Sequence, residues 1–187
     1  MAANFPDSIF AGQFSTMAIH TAGTITDPIG MTKNQAAFEA GFATGEYTVV
    51  GNVREMPTGL GNPSNVVNVP IFGQATSGQV QAQADANDLS LVLNYVPSVW
   101  QPGATLGGLV GDGNPYLARW SMLSASPADQ DADSSGLGSV DNATFYAIVK
   151  LDAIDPSMSL SDANTARLTL SNPLGLVWGP FSVDDGL

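Results

Sequence analysis

Cysteine is absent from the 187 residues, and histidine occurs only once, as His20. Without cysteine there is no disulfide framework, no thiolate zinc site and no thiol nucleophile. A metal site made of paired histidines is also excluded, and no G-x-S-x-G sequence is present to supply a serine nucleophile. We therefore interpret His20 as a structural residue and expect neither an enzyme nor a cofactor.

Positive charge is scarce. Five Lys and Arg residues stand against 17 Asp and Glu residues, for a formal net charge of −12, and charged residues are 12% of the chain against about 25% in typical soluble proteins. A surface without a basic patch argues against a conventional nucleic-acid binder, because affinity for phosphates depends on Lys and Arg. It remains compatible with a surface that DNA passes without binding.

Long apolar runs are also missing. No stretch approaches 18 apolar residues, so we expect no membrane span, and "MAANFPDSIFAGQFSTMAIH" lacks the basic start that is typical of a signal peptide. A chain of 187 residues can bury a substantial core, and no linker divides it. We expect a single domain over residues 1–187, with residues 1–44 as an N-terminal arm.

Strand signals dominate the rest of the chain, because β-branched and aromatic residues recur in short runs. These runs are "GEYTVVGNV" (45–53), "VVNVPIF" (66–72), "GQVQAQAD" (78–85), "LSLVLNYV" (89–96), "NPYLARWSML" (114–123), "ATFYAIVKLDAI" (143–154) and "TARLTLSN" (165–172). "TKNQAAFEAGF" (32–42) predicts a short helix with Thr32 and Gln35 as its capping box, and "SVWQPGATLGGLVGDG" (98–113) predicts another, entered through Pro102. The pattern predicts a mainly β fold with a short packed helix.

One predicted strand is unusual in its alternation of amides with small apolar residues. Gln79, Gln81, Gln83 and Asp85 alternate with Val80, Ala82, Ala84 and Ala86. Successive side chains of a strand point to opposite faces, so this strand has one wet face and one apolar face.

Edge protection is also scarce. The 64 residues from Glu55 to Ala118 contain no cation and only four acids. Natural proteins commonly protect exposed sheet edges with lysine, proline or inward-pointing charge. Because charge is this sparse, we expect self-association through strands.

An acidic segment gives the sharpest local pattern. Asp129, Asp131 and Asp133 have the spacing of positions 1, 3 and 5 in a calcium-binding EF-hand loop. The rest of the segment does not match an EF-hand loop, because Ser134 stands where glycine is needed and Val140 where a bidentate glutamate belongs. We interpret the three aspartates as a solvated loop, with weak cation binding as the alternative reading.

Several segments together resemble the major tail tube proteins of long-tailed, siphovirus-type bacteriophages. They are "TGEYTVVGNVREMP", "NVPIFGQATSGQVQAQADANDLSLVLNY", "GDGNPYLARW" and "SDANTARLTLS", and they cover residues 45 to 172. The resemblance implies a β-sandwich or barrel-like subunit with one short packed α-helix. It further implies hexameric rings, stacked into a tube, whose strands complete a closed barrel between subunits and through which double-stranded DNA is ejected.

The resemblance also implies partners and a place. The partners would be further copies of the chain together with tail terminator, tape measure and distal tail proteins, in a virion tail assembled in the host cytoplasm. On this reading Gln79, Gln81, Gln83 and Asp85 are candidates to face the lumen. The flexible segment of residues 54–65 is the candidate for contact between rings, through Arg54, Glu55, Met56, Pro57, Leu60 and Pro63.

Three other readings stay open. A phage decoration or adhesion β-sandwich has a similar composition and would be a monomer or trimer. The tube subunit of a related tail-like particle is a second alternative. An enzyme that uses acids such as Asp129 and Asp131 as general acid and base is the third, although no sequence feature places them in a pocket.

Overall fold

A computed structural model describes the following residues: 16–21, 23, 25–42, 46–51, 53–57, 60, 66–69, 78–81, 89–122, 143–159 and 163–181, with the backbone alone for 66–69 and 78–81. The strands in this part of the chain are β1 (Thr16–His20), β2 (Tyr47–Val50), β3 (Val53–Glu55), β4 (Val66–Val69), β5 (Gly78–Gln81), β6 (Leu91–Asn94), β7 (Tyr116–Met122), β8 (Ala143–Ser157), β9 (Thr165–Ser171) and β10 (Val177–Phe181). The helices are α1 (Gln35–Ala40), α2 (Pro97–Trp100) and a 3-10 turn (Gly107–Leu109). The fold is mainly β, as the sequence predicts.

Eight of these strands form one antiparallel sheet in the order β2-β1-β7-β8-β9-β6-β3, with β10 paired to β8. Strand β8 is 15 residues long and belongs to two half-sheets. The first half-sheet contains β2, β1, β7, β10 and the first part of β8, and the second contains the rest of β8 with β9, β6 and β3. The first part of β8 pairs with β7 and β10, its second part with β9, and a bulge lies between Leu151 and Ala153. A bulge bends a strand and increases its twist, which allows β8 to turn from one half-sheet into the other.

The two ends of this hydrogen-bonded order come close along the chain. Only residues 51 and 52 separate β2, at one end, from β3, at the other. Hydrogen bonds do not close the sheet into a barrel within the described residues, since β2 pairs with β1 and β3 pairs with β6. The remaining strands, β4 and β5, form a separate two-stranded sheet.

The main core lies where the half-sheets pack together. It contains Met17 and Trp120 from the first half-sheet and Leu93 and Leu168 from the second, all with no exposed surface. Each such aliphatic side chain contributes about 1.5–3 kcal/mol on burial. Because the core includes side chains of both half-sheets, the architecture resembles a β-sandwich.

A second core covers the opposite face of the first half-sheet. Helix α1 places Phe38 against Tyr146, with ring centroids 5.0 Å apart, and Phe42 lies in the same cluster. Asn34 caps the helix by accepting a hydrogen bond from the Ala37 N–H at 2.8 Å. The expected helix is therefore present, but its expected capping box is wrong, because the cap is Asn34 and not Thr32.

Other expectations also need correction. The first 30 residues were expected to form an arm or short strands; within the predicted arm of residues 1–44, β1 is hydrogen-bonded between β2 and β7 and α1 is packed on the sheet. The helix predicted from Leu106, Leu109 and Val110 after Pro102 is a 3-10 turn at Gly107–Leu109, while α2 at Pro97–Trp100 precedes it. Strand β10 was not expected as a strand.

Candidate assembly surface

Among the described strands, β2 pairs with β1 alone, so its other edge has no strand partner in this part of the chain. The Thr21 N–H donates to the Glu46 carbonyl at 3.0 Å, which makes these two residues a hydrogen-bonded pair of the β1–β2 ladder. Hydrogen-bonded and non-hydrogen-bonded pairs alternate along an antiparallel ladder. The N–H and C=O groups of Tyr47 and Val49 therefore point away from β1, towards the free edge.

The β2 edge also lacks charge. Its four residues are Tyr, Thr, Val and Val, and the Val49 side chain is 49% exposed. An exposed apolar strand without Lys or Pro is a template for pairing with another chain. The sequence identifies this strand but not its place at the end of the sheet, because that place depends on distant pairings.

The other edges of the large sheet are protected. Strand β3 carries exposed Arg54 and Glu55, and its register with β6 shifts between Val53 and Glu55. Strand β10 contains Pro180, which has no N–H to donate, and its pairing with β8 is also irregular. Charge, proline and irregular pairing are the usual means of blocking edge association.

The hairpin of β4 and β5 carries two of the predicted lumen-facing residues. Gln79 pairs in register with Asn68, and Gln81 pairs with Val66. The other two candidates, Gln83 and Asp85, lie outside the described residues. The predicted strand is thus found in part, as a four-residue strand in a sheet of its own.

The predicted contact segment of residues 54–65 differs from the expected loop at its start. Arg54 and Glu55 lie in β3 with exposed side chains. Met56 is half-buried against the main core, and Leu60 is only 6% exposed. Pro57 is buried as well, whereas Pro63 lies outside the described residues. Apolar burial therefore anchors Met56, Pro57 and Leu60 to the domain, and among the described candidates Arg54 and Glu55 are the exposed ones.

Two of the five cations are held by partners within the fold. The Arg119 guanidinium is 3.0 Å from Glu39 Oε2 and lies over the Phe42 ring at 4.5 Å. The Tyr146 hydroxyl donates to the same carboxylate. Burial first, and then the Glu39 charge, raise the pKa of Tyr146 above its ordinary range, so the hydroxyl stays protonated as a donor.

Lys33 is the second cation with partners in the fold, although these partners are uncharged backbone carbonyls. Its Nζ donates to the carbonyls of Pro28, Ile29 and Met31 at 3.1, 2.7 and 2.7 Å. The remaining cations are Arg54, Lys150 and Arg167, for which no ion pair forms within the part of the chain that the structure describes. Strands β3, β8 and β9 carry them, and all three of these strands belong to the second half-sheet.

His20 is buried, as a structural residue would be, at 4% exposure. Its Nε2 atom is 3.8 Å from Glu46 Oε2, and it borders a cleft of about 540 Å³ whose lining includes Thr26 and Asn114. Burial lowers the pKa of His20 below its ordinary value, while the Glu46 carboxylate opposes that shift. The imidazole is therefore neutral at pH 7.

Metal and membrane signals are not found in the described ranges. Those residues contain no group of three or more His, Asp or Glu side chains able to hold a metal ion. The weak cation candidates Asp129, Asp131 and Asp133 lie outside the described residues. None of the helices that the structure describes is both long and apolar enough to cross a bilayer.

Comparisons with known proteins give no family. No protein-family model matches the chain, and no curated protein matches it significantly.

Proposed function

We propose that this chain is a structural subunit of a bacteriophage tail tube. In this proposal hexameric rings stack in a helical assembly and form a hollow acidic conduit for double-stranded DNA during ejection. The observation that carries the proposal is the uncharged edge of β2, at the end of a large sheet whose other end strands, β3 and β10, are protected within the described residues. The resemblance of residues 45–172 to tail tube proteins supports the same reading.

Strand geometry makes the proposed tube wide enough for DNA. If six subunits each gave four strands to one barrel, about 24 strands spaced about 4.8 Å apart and tilted about 40° would form a circle roughly 48 Å across. Side chains would narrow the channel to about 35 Å. A duplex roughly 20 Å wide would then pass without continuous contact.

Charge supports passage without binding. Six copies at −12 carry a formal charge of −72, and DNA carries one negative charge per about 1.7 Å of its axis. Glu39 holds Arg119, and backbone carbonyls hold Lys33. Arg54, Lys150 and Arg167 therefore remain to meet phosphates, against 17 acids in the chain. A wall of this kind repels DNA, so the duplex slides. Gln79, Gln81, Gln83 and Asp85 are the proposed lumen residues.

The proposed partners follow from the position of a tube subunit. Copies of the chain contact one another within and between rings, with Arg54 and Glu55 as exposed candidates for the contact between rings. The tube would meet tail terminator, tape measure and distal tail proteins, and it would be assembled in the host cytoplasm. No cofactor is part of the proposal.

One observation favours a second candidate function. The main core is already buried within a single chain, with Trp120, Leu93 and Leu168 at 0% exposure. A decoration or adhesion module that works as a monomer or trimer would have such a core. The tube subunit of a related tail-like particle would share the proposed assembly and differ only in its cargo.

Electron microscopy of the purified protein separates these functions. A dilution and concentration series, imaged in negative stain, should show rings and tubes above a critical concentration. Particles that stay monomeric or trimeric at every concentration would instead favour the decoration module. Addition of DNA to the tubes should leave it unbound at physiological salt, and DNA held tightly by the tubes would contradict the conduit.

A further inference from the structure

We propose that the free edge of β2 binds strand β4 of a second copy of the chain, so that the hairpin of one subunit extends the first half-sheet of its neighbour. This inference rests on the proposed function, because the partner is another subunit. Beyond that function, it identifies the two strands, β2 of one copy and β4 of the next, that form the contact between subunits.

The first argument is the unused hydrogen-bonding capacity of β2. Tyr47 and Val49 point their backbone groups away from β1, and the sheet order ends at β2. Backbone groups of this kind are satisfied by water in a monomer and by another strand in an assembly. Main-chain hydrogen bonds give affinity when an extended segment adds to a sheet edge.

The second argument is that no third strand pairs with the hairpin within the ranges that the structure describes. Strands β4 and β5 pair with each other in a sheet of their own. A two-stranded hairpin is marginally stable at best in water, and a third strand is one of the additions that stabilise it. Docking on β2 would make β4 the central strand of a β5-β4-β2 ladder.

Length and charge match between the two partners. Strands β2 and β4 each have four residues. The sequences YTVV and VVNV contain no charge and no proline, so neither repulsion nor a missing N–H opposes their pairing. Strand β3 is a poorer acceptor, because Arg54 and Glu55 are exposed on it.

Strand β4 is a better partner than β5. It contains three valines in four residues, and β-branched residues are favoured in strands. Strand β5 begins with Gly78, and glycine weakens a strand interior because it brings no side chain to pack. This assignment also leaves Gln79 and Gln81 on the strand farther from the contact.

We take the partner to be a neighbouring copy because no strand among the described residues covers the outer edge of β2. Val49 is 49% exposed in the single chain, and the hairpin of the same chain is paired only within its own two-stranded sheet. Repetition of the same contact around a ring joins each subunit to the next in one direction. Such a head-to-tail interface closes when the rotation per subunit fits the ring.

Engineered cysteines test the pairing cleanly, because the natural chain has none. Val49→Cys is combined in turn with Val67→Cys and with Asn68→Cys. Adjacent strand residues point to opposite faces, so one of these two positions shares the face of residue 49 in any register. Matched controls carry Arg54→Cys with the same hairpin cysteines, and each single variant shows whether a cysteine disturbs folding or assembly.

Oxidation is carried out on assembled tubes and on dilute monomers, followed by denaturing electrophoresis. We expect one Val49 pair to give dimers and higher multimers in tubes, at least about tenfold more than the Arg54 controls. Tubes that form without this cross-link would overturn the pairing and leave the tube function intact. A cross-link within the monomer, unchanged by dilution, would overturn it as well. Cross-linked oligomers without tubes would support the pairing and contradict the tube.

Discussion

Replacement of Glu39 by glutamine should strongly destabilise the domain, although it changes few atoms. The Glu39 carboxylate is the ion-pair partner of Arg119, whose side chain is 8% exposed. At the observed separation of 3.0 Å the attraction is about 5.5 kcal/mol with an effective dielectric constant of about 20. Loss of one partner of a buried pair typically costs about 3–5 kcal/mol, because the other charge stays buried and unpaired.

We expect a loss of about 3 kcal/mol, at the low end of that range, because the Glu39 side chain is itself 19% exposed. The amide oxygen of the substituted side chain can still accept the hydrogen bond from Tyr146, so the loss reports mainly on charge. For a domain of this size the melting temperature should fall by about 6–12 °C. Urea unfolding of dilute protein, followed by tryptophan fluorescence, measures the free energy of unfolding directly.

Two further variants make the measurement specific. Glu55→Gln removes the same charge from an exposed strand residue and should change stability by no more than about 0.5 kcal/mol. Arg119→Met alone leaves the Glu39 carboxylate without its partner, and the double variant of Glu39→Gln with Arg119→Met should be less destabilised than the sum of the two single variants. An additive cycle, or a Glu39→Gln cost equal to that of Glu55→Gln, would refute the proposed role of the ion pair.

Two other predictions concern pH and the lumen. Burial lowers the pKa of His20, so below about pH 6.5 the unfolded chain binds a proton that the folded chain does not. The free energy of unfolding should therefore decrease as the pH is lowered, by at most about 1.4 kcal/mol per pH unit. His20→Gln should flatten the slope between about pH 6.5 and 5.5, above the range of ordinary carboxylates, and an unchanged slope in urea titrations would exclude His20 as its source. Gln81→Lys with Gln83→Lys should slow DNA ejection, more at low salt, because the new cations bind phosphates. Gln81→Glu with Gln83→Glu is the matched control, and ejection at the normal rate by the lysine variant would remove these residues from the lumen.

The order of apolar and polar residues along the chain predicted the elements that bury one face and expose the other. Strand β9 alternates buried Ala166, Leu168 and Leu170 with more exposed residues, so its period of two is visible in the sequence. Helix α1 was predicted from Phe38 and Phe42, which lie four residues apart and are both buried. These patterns arise because each element is amphipathic.

Strand β1, which the sequence left open between an arm and short strands, and strand β10, which was not expected, lack that contrast. Met17, Ala18 and Ile19 are all buried, because β1 is covered on both faces, and alternation disappears in such a strand. Strand β10 contains Gly179 and Pro180, residues that normally argue against a strand. The position of β2 at the end of the sheet could not be predicted from its own residues. It depends on the distant pairing of β1 with β7, which places β1 inside the sheet and β2 at its end.

Amide hydrogen exchange at Tyr47 and Val49 tests the central claim that copies join through a free strand edge. In dilute monomer the account predicts fast exchange at both amides and slow exchange at Thr48 and Val50, whose N–H groups point towards β1. In assembled tubes the Tyr47 and Val49 amides should become as protected as their neighbours. Protection already complete in the monomer, or exchange that stays fast in tubes, would contradict the claim.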